Sequence, residues 1–276
     1  MNILALHKMG EIDTHVNSFA SRLHSGLGGN ILALNVVSVP GEIPLKENGQ
    51  VLDFCTEFDL SAYHNKANEN QATIKNAYIN MNSVEVQSLV GNPHRVIRSF
   101  ASKKDVDLIV SGAHETTVFE DVFTHSFVHE LMETSGKPLL SLKCDRSKMV
   151  MDKIMIVGEF KRAIMEDLDV IKSLISAFDL ELLLARINTD KNNASEEDII
   201  REMTTYVSMN NLEAKNIKFV VAEAETAFDG VQFLINKHNP CISAFKQHAK
   251  NKEYSMLNGQ LEANILNHIA APILIY

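Results

Sequence analysis

The chain has 276 residues, of which 45% are hydrophobic, and its formal net charge at pH 7 is -9. The apolar fraction is ample for packed cores and argues against disorder, while the negative charge would repel nucleic acid and anionic membranes. No apolar run approaches the roughly 20 residues that span a bilayer, and the N-terminal MNILALHKMG turns polar too soon for a signal peptide. We expect a cytoplasmic protein with no nucleic-acid partner and no membrane partner.

Short apolar runs alternate with longer segments of helical period along the first half. The runs are nearly continuous in Ile, Leu and Val, which is typical of strands covered on both faces in a parallel sheet, and right-handed crossovers would place helices on both sides of it. Strands are predicted at Ile3–Leu6, Ile31–Val37, Val84–Val90, Asp107–Ser111 and Leu139–Leu142, and helices at Asp13–Leu27, Ser61–Met81, His94–Ser102 and Phe123–Thr134.

The segment Val39–Leu60 is the longest irregular stretch of the chain and mixes turn residues with Phe54 and Phe58. Two interpretations stay open. The segment is a surface excursion whose aromatic side chains cap a core, or it is a lid over the carboxyl ends of the neighbouring strands, where open α/β sheets bind ligands.

The second half repeats the order of elements found in the first. NILALHK (Asn2–Lys8) is matched 151 positions later by KIMIVGE (Lys153–Glu159), and DLIVSG (Asp107–Gly112) is matched 133 positions later by PCISAF (Pro240–Phe245). Such self-similarity marks a repeated unit. Helices of this half are predicted at Ala163–Ala177, Glu196–Leu212, Ala227–His238 and Ser255–His268.

The two halves are predicted to be two domains, 1–145 and 151–276. The polar link Lys143–Asp152 has no long Gly, Ser or Pro tract, so we expect the domains to be held against each other rather than strung on a flexible tether. The expected fold class is α/β, with two tandem five-stranded units, each a doubly wound parallel sheet in an α/β/α sandwich.

Four motifs stand at the ends of predicted elements. A GNP turn (Gly91–Pro93) opens the third helix, DLIVSG ends the fourth strand, Ser126 stands just inside the fourth helix, and KPLLSL forms the last strand. With two such units, the sequence resembles a tandem universal stress protein, which implies an adenine nucleotide alpha hydrolase-like fold. In that family the last strands often pair, and an unpaired Leu139–Leu142 or Ile273–Tyr276 would expose a hydrophobic edge. We therefore expect an intramolecular pseudo-dimer, with a homodimer of whole chains left open.

Nucleotide-binding members of that family carry a loop G-x-x-G-x9-G-[ST], whose glycines let backbone amides approach phosphates and whose hydroxyl donates at a helix N-terminus. By this resemblance Gly112 fits the first glycine and Ser126 the hydroxyl, but Glu115 and His125 occupy the second and third glycine positions. A glutamate there would repel phosphate by about 1 kcal/mol or more when partly desolvated, and side chains obstruct close backbone approach. We expect an altered nucleotide loop comprising Gly112, His114, Glu115, His125 and Ser126.

The family also places a carboxylate after the first strand, where it contacts the adenine end of the nucleotide. Here His7-Lys8-Met9-Gly10 follows the strand, and the first carboxylates are Glu11 and Asp13, so this contact is in doubt. His7 is interpreted as a hydrogen-bonded core residue rather than a catalyst.

The corresponding loop of the second half departs further from the motif. Phe245 replaces the first glycine and Gln260 stands where the hydroxyl would be. Lys246, Lys250 and Lys252 make the loop basic, which fits either an anion site or a solvated surface loop.

A metal site in the first-half loop is the remaining chemical alternative. His125 and His129 lie four residues apart on a predicted helix, a spacing that zinc ligands use. Pairs of this kind also arise by chance among 11 His, and Ser126 stands where an HExxH motif needs Glu. We favour ordinary helix residues, so no metal is predicted and zinc is disfavoured.

No other catalytic pattern is present, since GxSxG, a Walker A lysine and GxGxxG are all missing and the three cysteines are far apart. The sequence specifies no reaction. It favours a noncatalytic stress-response protein that binds a small ligand or a protein partner and has no resident cofactor. The alternative is an ATP- or AMP-binding switch, or a weak ATPase, that uses the first-half loop.

Overall fold

The computed structural model describes residues 1–52, 57–113, 131, 135–145, 148–161, 165–189, 194–247 and 259–276. They fall into two compact units, Met1–Ser147 and Lys148–Tyr276. The predicted helix Phe123–Thr134 lies outside the described residues apart from Leu131, which is buried.

The first unit is a parallel sheet with helices packed on it. Its described elements are β1 (Asn2–His7), α1 (Asp13–Leu27), β2 (Asn30–Ser38), α2 (Ser61–Ala77), β3 (Val84–Gly91), α3 (Pro93–Lys103), β4 (Leu108–Gly112) and β5 (Leu139–Leu142). The strands lie in the order β3-β2-β1-β4-β5, all parallel. The order reverses between β1 and β4, so their carboxyl ends form the crevice where open α/β sheets bind ligands.

Local sequence sets the ends of these helices. Pro93 occupies the first position of α3, and the Asn92 side chain accepts a hydrogen bond from the Arg95 N–H at 3.1 Å, so the predicted GNP turn is an N-cap. Helix α2 ends at Ala77 rather than at the predicted Met81. The Met81 N–H bonds the Tyr78 carbonyl three residues back at 2.9 Å, which makes a turn instead of another helical turn.

The second unit repeats the strand order of the first. Its described elements are β6 (Lys153–Val157), α4 (Asp169–Phe178), β7 (Glu181–Asn188), α5 (Glu196–Met209), β8 (Ile217–Glu223), α6 (Ala227–His238), β9 (Ile242–Phe245), α7 (Gly259–His268) and β10 (Ile273–Ile275). The parallel order β8-β7-β6-β9-β10 corresponds strand for strand to that of the first unit.

Two helices of the second unit show how local and distant contacts compete. Helix α5 begins where predicted, because the Ser195 side chain accepts the Asp198 N–H at 3.2 Å. Helix α4 begins at Asp169 rather than at the predicted Ala163. The Glu166 N–H bonds the Asn210 side chain at 2.8 Å, so a contact distant in sequence holds this stretch out of the helix.

Candidate functional site

The predicted nucleotide loop is described at its first residue. Gly112 ends β4 beside β1, at the crevice of the first unit. His114, Glu115, His125 and Ser126 lie outside the described residues, so their roles stay predictions.

Side chains from the turn after β1 cover Gly112. A Cβ at position 112 would lie 2.5 Å from Cγ1 of Ile12 and 2.8 Å from Cγ2, and Ile12 itself is only 5% exposed. Lys8 Nζ donates to the Gly112 carbonyl at 2.7 Å. The first glycine of the loop therefore serves a close approach of Ile12, and its carbonyl is held by a lysine.

Asp13 organises the turn that carries these two side chains. Its carboxylate accepts hydrogen bonds from the backbone N–H of Lys8 at 3.0 Å and of Met9 at 2.8 Å, and the latter residue has a left-handed φ of 63°. His7 Nδ1 lies 3.6 Å from the same carboxylate. The Asp13 side chain is 13% exposed, and its carboxylate is held mainly by the backbone of its own turn.

Burial shifts the proton affinity of the neighbouring lysine. Loss of hydration lowers the pKa of Lys8 from its ordinary 10.5 to about 8, and the Asp13 carboxylate opposes part of that shift. At neutral pH the ammonium therefore carries its charge in an unfavourable environment, where the Gly112 carbonyl and the Asp13 carboxylate are among its partners.

His7 belongs to a buried polar network behind the crevice. Its side chain is 3.4 Å from the Tyr78 hydroxyl, and its carbonyl accepts the Asn35 side-chain amide at 2.9 Å. Asn70 and Ser88 donate to the Asn35 side-chain oxygen at 2.9 and 2.8 Å. These contacts agree with the interpretation of His7 as a hydrogen-bonded core residue.

The described part of the segment 39–60 covers the carboxyl ends of β2 and β3. Ile43 and Val51 are each 5% exposed and pack with Ala67 and Val90 in a small hydrophobic cluster. The Val51 N–H bonds the Val90 carbonyl at 3.0 Å. These contacts fit the lid interpretation and also supply a core of their own.

Gly49 anchors the same segment on α3. Its φ is +84°, and a Cβ there would lie 2.4 Å from the Cβ of Arg95. The Asn92 N–H donates to the Gly49 carbonyl at 2.9 Å. Phe54 lies outside the described residues and Phe58 is 36% exposed, so the capping role predicted for these aromatic residues gains no support from Phe58.

A polar cluster around the Glu166 carboxylate occupies the corresponding edge of the second unit. Glu166 Oε1 accepts from Lys246 Nζ at 2.6 Å, and Oε2 accepts from the hydroxyls of Tyr206 at 2.7 Å and Tyr276 at 3.2 Å. Burial raises the pKa of both phenols above the usual range, so they stay protonated donors. Lys246 of the predicted basic loop is thus ion-paired, while Lys250 and Lys252 lie outside the described residues.

Two further second-unit positions were predicted from the loop motif, and the side chain of one of them, Gln260 at the start of α7, lies outside the described residues. Phe245, which stands at the first glycine position, ends β9 and is fully buried in the core. In the described ranges, no three His, Cys, Asp or Glu side chains gather in a way that could hold a metal ion. The zinc candidates His125 and His129 fall outside those ranges.

Sequence reasoning did not single out Ile12, Glu166 or Arg186. Ile12 and Glu166 act through partners distant in sequence and belong to no motif. Arg186 had a signal, because it is the one charged residue inside the apolar stretch LLLARI and is completely buried in β7. A cation in such a run indicates a built-in polar contact.

Comparisons with known proteins match part of the sequence and the fold of the whole chain. Residues 17–143 match the model of the universal stress protein family, and no curated protein sequence matches the chain. A universal stress protein from Archaeoglobus fulgidus DSM 4304 gives a TM-score of 0.71 at 14% identity, covering 99% of this chain and 97% of its own.

Two structures from Pseudomonas aeruginosa are also similar. A functionally unknown protein of strain PAO1 gives a TM-score of 0.63 at 11% identity and covers 99% of this chain and 91% of its own. A candidate universal stress protein of strain UCBPP-PA14 gives 0.60 at 13% identity, with 99% and 92% covered. At these identities the likeness shows the fold alone.

None of the helices in the described parts of the chain has the length and apolar character needed to cross a bilayer. By the comparisons above, the chain has an α/β fold like that of universal stress proteins, with a sequence match to that family over residues 17–143.

Proposed function

We propose that this chain is a noncatalytic tandem universal stress protein whose first-unit nucleotide site is degenerate, and that it acts by binding a small ligand or a protein partner. The observation that carries the proposal is the contact of Ile12 with Gly112, where the Ile12 side chain fills the space that a Cβ would need. A glycine serves phosphate binding only when its open face is left to the ligand.

Two further contacts support the same conclusion. Lys8 Nζ is directed to the Gly112 carbonyl and so does not extend from the crevice as a phosphate-binding lysine would. The Asp13 carboxylate accepts from two backbone amides of its own turn, which leaves it poorly placed to recognise an adenine or a ribose.

The proposal includes the arrangement of the whole chain. We take 1–145 and 151–276 as two domains of this family that associate through their last strands as a pseudo-dimer, because each such strand carries apolar side chains that an open edge would expose. The net charge of -9 favours neither nucleic acid nor anionic membrane as a partner, and we place the protein in the cytoplasm.

An ATP- or AMP-binding switch is the second candidate, and one observation favours it. Gly112 lies at the carboxyl end of β4 beside β1, which is the point of strand-order reversal where nucleotides bind in related sheets. Backbone amides following Gly112 would then hold the phosphates.

Nucleotide content of the purified protein separates the two candidates. The full chain is denatured after purification, the released small molecules are identified by mass spectrometry, and thermal unfolding is recorded with and without Mg-ATP. The proposal expects no bound adenine nucleotide and no change in Tm. Stoichiometric ATP or AMP, or a saturable rise in Tm with Mg-ATP, would establish the switch instead.

Two variants test whether Ile12 is the side chain that blocks the space beside Gly112. Ile12→Ala removes the side chain that fills the space beside Gly112, whereas Val16→Ala removes a similar apolar volume from α1, where Val16 is also fully buried. If Ile12 blocks the site, only the first variant gains a Tm response to Mg-ATP relative to its own unliganded form. An equal response of both variants would assign the effect to general loosening.

A further inference from the structure

The guanidinium of Arg186 is buried near the carboxyl end of β7 in the second unit. Its side chain is 0% exposed, and the strand positions around it are apolar except for the terminal Asn188. A charged group in such a place is strongly destabilising unless its donors are matched, so its hydrogen bonds indicate the role of the side chain.

Only one of the three guanidinium nitrogens has a partner among the described residues. Nη1 donates to the Glu159 carbonyl at 3.0 Å and to Glu202 Oε2 at 2.5 Å. Nε and Nη2 are both buried, and neither has a hydrogen-bond partner in the described part of the chain. An unmatched buried donor is destabilising, and a charged one more so, so two such donors on one side chain indicate a missing acceptor.

The two unmatched nitrogens form one edge of the guanidinium. Nε–H and Nη2–H point the same way and are spaced to meet two oxygens of one group, the bidentate geometry that carboxylates and phosphates use with arginine. A single water offers one oxygen to this edge, whereas an oxyanion offers two.

The neighbouring charge favours a carboxylate over a phosphate. Glu202 already neutralises Arg186 from the Nη1 side, so a singly charged ligand adds one negative charge and a phosphate dianion would add two. The Glu202 side chain is 27% exposed, so solvent reaches the carboxylate that pairs with Nη1. The site also lies at the carboxyl end of parallel strands, the ligand-binding edge of such sheets.

We propose that the Nε and Nη2 edge of Arg186 binds the carboxylate of a small anionic ligand in the second unit. This site extends the proposed small-ligand function and is separate from the first-unit loop. The nucleotide experiment above therefore succeeds or fails independently of it.

The test uses the full chain and simple anions as probes. The protein is titrated with acetate, inorganic phosphate and chloride at constant ionic strength and pH, and the Nε–H resonance of Arg186 is followed by 1H–15N NMR. A saturable shift is expected with acetate, a weaker one with phosphate and none with chloride. The absence of a saturable shift with acetate, or an equal shift with chloride, overturns the site; tighter binding of phosphate overturns the carboxylate assignment.

Variants locate the binding at this side chain, with affinity read from a backbone amide resonance of the second unit that shifts with acetate. Arg186→Lys keeps the charge but loses the two-pronged edge, so acetate affinity should fall by about tenfold or more, the factor set by one charge-assisted hydrogen bond. Arg201→Lys is the control, because that side chain is 74% exposed and pairs with Asp198; its affinity should not change. Wild-type affinity in Arg186→Lys would overturn the proposal.

A second variant covers the case in which Arg186→Lys does not fold. Glu202→Gln retains the arginine and removes the competing negative charge, so acetate should bind more tightly than to the wild type. The acetate-induced rise in Tm should grow accordingly. Unchanged or weaker acetate binding in Glu202→Gln would contradict the proposed position of the ligand.

Discussion

Replacing Gly112 by Ala would place a methyl group against Ile12. The new Cβ would lie 2.5 Å from Cγ1 and 2.8 Å from Cγ2 of that side chain, whereas carbon atoms pack favourably at about 3.5–4.0 Å. Ile12 must therefore retreat by about 1 Å from a site where it is only 5% exposed. Overpacking of this kind costs about 1–3 kcal/mol, and the loss of glycine freedom in the unfolded chain returns about 0.4–1 kcal/mol.

We expect Gly112→Ala to lower the free energy of unfolding by about 1–2 kcal/mol. Urea unfolding followed by far-ultraviolet circular dichroism measures this value, and Gly10→Ala is the control because a Cβ there meets no atom within 4 Å. The double variant Gly112→Ala with Ile12→Ala should be more stable than the sum of the single effects predicts. Strict additivity, or a Gly112→Ala protein as stable as the wild type, would refute the packing role of this glycine.

Three other predictions follow from the first unit. The pKa of Lys8 is about 8 in the folded protein and 10.5 is its ordinary value, so between these pH values the unfolded state binds more protons than the folded state. In urea titrations the wild type should therefore gain stability relative to Lys8→Met as pH rises from 8 to 10. A difference in stability that stays constant with pH would contradict the lowered pKa. Asp13→Ala leaves two backbone amides without their acceptor and should lower the free energy of unfolding by roughly 2 kcal/mol or more in the same assay. A loss below about 0.5 kcal/mol, as for a surface substitution, would count against the role of Asp13 in the turn. Gly49→Ala should lower the free energy of unfolding by about 1–3 kcal/mol, because of the positive φ of Gly49 and its contact with α3. Gly41→Ala, whose Cβ meets no atom within 4 Å, should be nearly neutral. Equal losses of stability in the two variants would refute the role of Gly49 in anchoring the segment on α3.

The order of strands and helices could be predicted because strands that are buried on both faces consist almost entirely of Ile, Leu and Val. The bounds of α1, α6 and β5 coincide with those predicted. The predictions were wrong where a contact distant in sequence decides, as at Glu166, whose N–H bonds Asn210 and keeps the chain out of α4. Hydrophobic period carries no information on such a bond.

The candidate site could be predicted only in position. The motif placed Gly112 at the end of the fourth strand, where the structure has it. The side chain that covers it, Ile12, is a hundred residues earlier and reads in the sequence as an ordinary apolar residue. Its effect on the glycine comes from the pairing of β1 with β4, which brings the turn after one strand to the end of the other.

The buried ion pair of Arg186 and Glu202 also bears on how the strands and helices of the second unit assemble. Ile187, the next residue of β7, packs on the opposite face against Gly230 of α6, because successive side chains alternate across a strand. A slip of β7 by one position would exchange these faces and separate the guanidinium from the carboxylate on α5. The ion pair therefore forms only when β7 has its native register and α5 is in its native position. An uncompensated buried charge costs about 3–5 kcal/mol, which is enough to deplete misaligned conformations during folding.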